Sequence, residues 1–342
     1  MGGAADPTGL DSAAMTDHVS TLNALLDRFT RARHPGPTTY RWAHRHDGGE
    51  HGTHLVFSSL IHGNEVGSLP GLVRAVEDLR SGVLTYGGTA TLLLGNPEAA
   101  QADVRFLQDD LNRVFLPDLD DALHEHRRAR ELMPLLDEAD VYLDFHQTLK
   151  ACREPFYIFP WSETGWLWVR ALAGARVWVT RNPGQAFSSG TMCADEYVRD
   201  RGHPGITVEL GEKGWSEQAA DRTYSMIADA LRFADGVARG TMTLREAAEA
   251  QPDVRFFETK HRLAFSDPAM TLAPGLANFE PVIAGQLLSA PGTPELRAPS
   301  PGAVLFPKYP PRDAAGRALD PRPGEIARVI SELEQHPLAL WG

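Results

Sequence analysis

Four short strand-like runs, each closing on a polar residue or a turn, constrain this chain more than any other feature. Residues 53–61 lead into His62, residues 89–94 stop at Gly95-Asn96-Pro97, residues 141–145 end at His146, and residues 205–210 carry Glu209. Runs this short, rich in aliphatic and β-branched side chains, read as strands buried on both faces. Between them the spacing turns helical. Val66, Leu69, Leu72, Val73, Val76 and Leu79 predict a helix that opens directly after His62-Gly63-Asn64-Glu65 and ends near Ser81-Gly82, with Pro70 tolerated in its first turn. Residues 16–33, a strongly polar stretch at 119–138 and residues 216–238 give further helices, and a short one is expected from Glu98. Residues 155–160 and 176–180 add strands, and residues 40–46 and 53–61 are expected to form a hairpin through Asp47-Gly48-Gly49-Glu50. Strands alternating with helices predict an α/β fold, a mixed central sheet with helices on both faces.

The pattern changes near Met242. From Val254 onward the chain is rich in Pro, Gly and short β-type segments, at 255–259, 281–288 and 302–306, with no long helical period. The expected organisation is a flexible N-terminus at 1–15, an α/β domain at 16–250 and a smaller β-rich C-terminal domain at 251–342. At 42% hydrophobic and 23% charged residues the composition can supply a sizeable core. A formal charge of -12, with 33 Lys+Arg scattered along the chain, argues against a nucleic-acid partner. Cys152 and Cys193 match no metal or redox spacing, so a reducing compartment is expected. Neither a basic-then-apolar leader nor a transmembrane-length apolar run is visible, and the expectation is a cytoplasmic protein without a membrane partner. The sequence gives no handle on oligomeric state.

Open α/β sheets collect their working residues at the carboxyl ends of strands, where loops converge on one crevice. His62 with Glu65, the segment 105–113, His146 and Glu209 all fall there. A catalytic zinc site typically takes three protein ligands from His and carboxylate and keeps one position open. His62, Glu65 and His146 supply that set, one zinc per chain, with Gly63 allowing a tight turn between the first two. Asp144, two residues before His146, is a candidate to orient that ring. A lone His-x-x-Glu is ordinarily a surface pair, and 13 histidines make coincidence easy.

The linked motifs carry more weight. His62-Gly63-Asn64-Glu65, Gly95-Asn96-Pro97, Arg105 followed by Asp110-Leu111-Asn112-Arg113-Val114-Phe115, Asp144-Phe145-His146 and Thr207-Val208-Glu209-Leu210-Gly211 occur in the order seen in the succinylglutamate desuccinylase/aspartoacylase family, which the chain resembles from about His54 to Gly211. Asn278-Phe279-Glu280-Pro281 and Gly285-Gln286-Leu287-Leu288 resemble the tail of the desuccinylase branch. The resemblance implies a zinc-carboxypeptidase-like core and hydrolysis of the amide in an N-acyl amino acid, such as an N-succinyl or N-acetyl acidic one. Carried across, His62, Glu65 and His146 hold zinc, Glu209 is the general base, Arg105 polarises the scissile carbonyl, and Asn112 and Arg113 hold a carboxylate of a small anionic substrate.

Arg153, Arg199 and Tyr309 lie near segments that would shape the pocket, but no motif assigns them roles. Where the desuccinylase branch shows a characteristic run after its final Phe-Pro, this chain has Lys308-Tyr309-Pro310-Pro311-Arg312, which leaves the acyl group open. Two other functions fit the same residues: a carboxypeptidase-type peptidase and a non-catalytic binding protein on the same fold. A degenerate binding protein would be expected to lose one of His62, Glu65, His146 and Glu209, and all four are present.

Overall fold

The strand-like runs become members of one sheet. The structure, a computed structural model, describes residues 12–185, 187–320 and 323–342. In chain order these form α1 (Ser12–Ala32), β1 (Ala43–Asp47), β2 (His54–Ser59), α2 (Leu69–Ser81), β3 (Thr89–Leu94), α3 (Pro97–Gln101), α4 (His124–Leu136), β4 (Val141–Thr148), β5 (Phe156–Ile158), α5 (Glu163–Leu172), β6 (Val177–Thr180), α6 (Ala194–Arg199), β7 (Gly205–Glu212), α7 (Glu217–Ala238) and α8 (Leu244–Glu249). The remainder is β8 (Arg255–Ala264), β9 (Pro281–Val282), β10 (Gly302–Leu305), β11 (Glu325–Glu332) and α9 (Pro337–Trp341). The flexible N-terminus expected for 1–15 lies, for residues 1–11, outside the described residues, and α1 opens at Ser12 rather than at residue 16.

All eleven strands share one mixed sheet in the order β1-β3-β2-β4-β7-β5-β6-β8-β11-β10-β9. β2 is parallel to both β3 and β4, and β4 is parallel to β7, so these strands present their carboxyl ends along one edge. Every residue of β2 and of β4 is buried, as expected of strands that have a neighbour on each edge. Helices flank the sheet: α2 packs between α1 and α7, and α6 lies against β4 and β7. Ser216 caps α7 by accepting the Ala219 N–H, and Gly82, left-handed at φ 78°, closes α2 where Ser81-Gly82 predicted.

The predicted hairpin does not form. β1 pairs antiparallel with β3, which sits between β1 and β2. β2 is apolar on both faces and needs a partner on each side, and β3 satisfies that need better than the more polar β1. Gly48 serves a different purpose from a tight turn, because a Cβ there would lie 2.1 Å from the Tyr86 carbonyl oxygen as the connection crosses the entry to β3. The polar helix is shorter than residues 119–138, and the segment 281–288 keeps only Pro281–Val282 as strand.

The chain beyond α8 builds an apolar cluster of its own, with Leu263, Met270, Leu272, Leu288, Val304, Ile326 and Val329 buried together. Its strands nevertheless extend the central sheet, since β8 runs parallel to β6. Among the described residues no helix is long and apolar enough to cross a membrane.

Candidate active site

After β2 the chain turns sharply through Leu60, left-handed at φ 59°, and brings His62 and Glu65 over the carboxyl edge. Gly63 is required there: a Cβ would sit 2.3 Å from the Ala99 carbonyl carbon, so the turn rests directly on α3. Its N–H donates to the Arg105 carbonyl at 3.0 Å, and the Glu65 N–H closes the turn onto the His62 carbonyl at 3.2 Å. β4 continues past His146 to Thr148, and its register places His146 directly beside Glu209 of β7. Both residues thus sit inside paired strands rather than on their last residues. The Gln147 N–H donates to Glu65 Oε2 at 3.0 Å, tying the carboxylate to the same strand.

Three donors converge. His62 Nδ1 lies 2.9 Å from Glu65 Oε1, His146 Nδ1 lies 2.9 Å from Glu65 Oε2, and the two Nδ1 atoms are 3.1 Å apart. The outer nitrogen of each ring faces a carboxylate, His62 Nε2 to Asp110 Oδ1 at 3.1 Å and His146 Nε2 to Asp144 Oδ2 at 2.8 Å. A carboxylate behind the ring is the usual second partner of a metal-bound histidine, and Arg105 Nη2 also lies 2.6 Å from His62 Nε2. Two imidazoles and a carboxylate thus turn one atom each toward a common point, an arrangement that a metal cation can bridge. These residues are buried and form the one such group of three among the described residues that can hold a metal ion. Burial alone would raise the Glu65 carboxyl, but His62 and His146 beside it hold it well below the usual carboxylate range.

Glu209 faces the same space. Burial, reinforced by the Glu65 charge, pushes its carboxyl up to about 8. Its Oε2 is buried and has no hydrogen-bond partner among the described residues. Arg105 is held from two sides, donating from Nη1 to Glu65 at 3.0 Å and from Nε to Asp110 at 3.1 Å. All of these groups line a cavity of about 650 Å³ that Phe187, Phe306, Lys308 and Arg328 also line.

The model of the succinylglutamate desuccinylase/aspartoacylase catalytic domain matches residues 51–234, more than half of the chain, and the match contains all of the convergent donors and Glu209. The chain belongs to this family. A succinylglutamate desuccinylase of Pseudomonas paraeruginosa is 33% identical over 178 residues, covering 48% of this chain and 52% of the relative. The chain spans about half the length of the curated relatives it matches at the head of that comparison. Among solved structures, succinylglutamate desuccinylase from Chromobacterium violaceum superposes with a TM-score of 0.62 at 19% identity, over 95% of this chain and 99% of that one. Murine aminoacylase 3 gives 0.59 at 20% identity, over 82% and 95%. At these identities the structures establish the shared fold.

Within this family fold, the residues singled out in the sequence assemble unevenly. His62, Glu65, His146, Glu209 and Arg105 meet at one point. Asn112 lines the cavity with Nδ2 3.4 Å from His146 Nε2, while its Oδ1 accepts the Ala194 N–H at 2.9 Å and so also seats α6. Arg113 donates from Nη1 to the Asn112 carbonyl at 2.6 Å, lies 5.1 Å from the centre of the Phe187 ring, and has no ion-pair partner among the described residues. Arg153 is outside the cavity, paired with Glu280 at 2.7 Å. Arg199 is structural, bridging Asp195 and the Gly205 carbonyl, each at 2.6 Å. Tyr309 turns away from the site and donates its hydroxyl to the Ala273 carbonyl at 2.6 Å.

Sequence reasoning missed Asp110, Lys308 and Arg328. Asp110 lay inside the quoted Asp-Leu-Asn-Arg motif, where an acidic residue five after Arg105 was the available signal. Lys308 follows Phe306-Pro307 in a stretch that departs from the family pattern, so no motif marks it. Arg328 lies in a strand that was not anticipated.

Proposed function

We propose that the protein is a zinc-dependent amidohydrolase that cleaves the amide of a small, anionic N-acyl amino acid. The observation that carries this reading is Glu209: a buried carboxyl with an unpartnered oxygen, beside a three-donor metal set and in the same cavity as Arg105 and Arg113. The retention of all four chemical residues supports an enzyme over a binding protein.

His62, Glu65 and His146 would hold the ion, which when bound supplies Lewis-acid chemistry that acidifies water and polarises a carbonyl. The Glu209 carboxylate, beside the metal donors, is placed to take a proton from the attacking water and return it to the departing amine nitrogen, and the charge of a bound cation would favour its ionised form. Arg105, fixed by Glu65 and Asp110, presents its remaining N–H groups where an oxyanion develops; one such preorganised donor is commonly worth about 3–4 kcal/mol of barrier. Arg113, which has no ion-pair partner among the described residues, offers a planar fork for a substrate carboxylate. Relatives named succinylglutamate desuccinylase make an N-succinyl amino acid the first substrate to test. A peptidase needs a cleft that continues past the scissile bond, whereas here Phe306, Lys308 and Arg328 wall the cavity and favour small substrates.

A hydrolysis panel of N-succinyl, N-acetyl and N-formyl amino acids, run with metal analysis, tests the proposal. Wild type should hold about one zinc per chain and release free amine, and Glu209→Gln should keep its zinc while losing about 100- to 10,000-fold in kcat. Full activity in that variant overturns the mechanism, and turnover of peptides alone overturns the substrate class.

A further inference from the structure

The polar first turn of α4 takes no part in the chemistry described so far, yet it converges on the loop that follows Arg105. The fully buried Glu125 carboxylate accepts three successive backbone N–H groups, from Leu107 at 2.7 Å, Gln108 at 3.1 Å and Asp109 at 3.1 Å. It also accepts Asn96 Nδ2 at 2.9 Å. Its neighbours complete the grip: the His124 N–H donates to the Gln108 side-chain oxygen at 2.6 Å, and His126 Nε2 lies 3.1 Å from Asp109 Oδ2. Asn96 is itself fully buried and caps α3 by accepting the Ala99 N–H at 3.3 Å. The Gly95-Asn96-Pro97 motif and the start of α4 therefore form one dock for residues 107–109.

That loop is short and has Arg105 at one end and Asp110 at the other. Three consecutive N–H groups turned inward onto one carboxylate fix its path, much as backbone nests fix anions. Asp110 in turn faces His62 Nε2 and Arg105 Nε. We propose that Glu125, held by Asn96, is a positioning residue that sets where Arg105 and Asp110 stand relative to the metal donors. Its kinetic consequence rests on the hydrolase reading; its consequences for loop protection and zinc affinity do not.

Glu125→Gln leaves one acceptor oxygen and turns an amide N–H₂ either toward the Gln108 and Asp109 N–H groups or toward the Leu107 N–H and Asn96 Nδ2, and Glu125→Asp withdraws the carboxylate by one methylene. The experiment compares both variants with wild type by hydrogen exchange, zinc competition and hydrolysis. Backbone amides of 107–109 should exchange at least about ten-fold faster, and zinc should bind about ten-fold more weakly, with little further loss when Glu125→Gln is added to Asp110→Asn. Displacing Arg105 by an ångström should lower kcat/KM about 100-fold, and the same substitution in an Arg105→Ala background should cost at most about two-fold. Glu131→Gln, an exposed change on the same helix that removes only the ion pair with Arg128, should alter none of these. Unchanged protection of 107–109 in both variants overturns the proposal, as does an equal loss of activity with and without Arg105. If no N-acyl amino acid is turned over at all, the hydrolase reading fails and the exchange and zinc measurements alone decide the dock.

Discussion

Replacing Asp144 tests the zinc assignment at the point where its geometry is most constrained. Asp144 is fully buried; its Oδ2 lies 2.8 Å from His146 Nε2, and its Oδ1 accepts the Ser58 hydroxyl at 2.6 Å, which in turn lies 2.6 Å from the Tyr142 hydroxyl. Asp144→Asn keeps the shape: its amide oxygen still accepts from His146, and Ser58 reorients to accept from the new N–H₂. The charge is lost but the tautomer is kept. Asp144→Ala removes the acceptor, leaving a buried N–H without a partner at about 1–3 kcal/mol and a ring free to rotate. Partners behind metal-bound histidines are typically worth 10- to 100-fold in affinity, about 1.4–2.7 kcal/mol. We therefore expect zinc affinity to fall about ten-fold in Asp144→Asn and about 100-fold in Asp144→Ala, read by competition with a chromophoric chelator at constant pH. The metal-free melting temperatures of the two variants separate this effect from general destabilisation. Wild-type affinity in Asp144→Ala would refute the orientation argument, and equal losses in both variants would show that charge, rather than tautomer, matters.

Arg113→Lys should raise KM about ten-fold with kcat nearly kept, because a point charge replaces a fork while the chemical residues stay in place; a fall confined to kcat would remove Arg113 from substrate binding. Asn278, fully buried, donates to the Lys150 and Ala151 carbonyls at 3.0 and 3.2 Å and accepts the Phe306 N–H at 2.7 Å, so Asn278→Ala should cost about 1–3 kcal/mol in denaturant unfolding and raise KM as the Phe306 wall loosens. An unchanged denaturation midpoint would contradict that role. His44 and His54 are each lowered from 6.5 to about 4, chiefly by burial, with nearby cations adding to it. Below pH 6.5 the unfolded chain binds protons that the folded chain refuses, so stability present above that pH is lost as pH falls toward about 4. Each contributes at most about 3 kcal/mol over that window, and His54→Gln should flatten the fall in melting temperature between pH 7 and 4.5; a slope identical to wild type would show that His54 does not contribute.

His62, Glu65, His146 and Glu209 were legible because an apolar strand that ends on, or carries, a polar residue leaves that residue few places to go except the carboxyl-edge crevice. What local pattern does not encode is the partner. β1 and β2 sit in sequence like a hairpin, and only the need of β2 for a strand neighbour on each edge inserts β3 between them. β11 escaped notice because Arg328 interrupts the apolar run of Ile326, Ala327, Val329 and Ile330, all buried. The charge becomes tolerable through Glu325, 2.8 Å away and three residues earlier, and through the cavity beside it. Glu125 was invisible for a similar reason: on a polar helix one more glutamate looks like a solvated side chain until the loop it holds is folded against it. Asp144 was placed correctly as an orienting candidate, since residues two apart on a strand share a face.

The pairing of His146 with Glu209 across β4 and β7 has a practical side. A metal donor and the proposed base are spaced by the hydrogen-bond ladder of a buried parallel sheet, so their separation is as rigid as the backbone itself, and a one-residue slip would turn both side chains to the other face. The groups that would grip substrate sit elsewhere: Arg113 on a short turn, Phe187 on a loop, Lys308 just beyond β10 and Arg328 on β11. Most of the groups proposed for selectivity therefore lie on other segments than those proposed for chemistry, with Arg113, next to Asn112, as the exception. If the proposed function holds, exchanging residues 187–191 and 306–308 should alter the acyl preference while leaving the β4–β7 pairing in place.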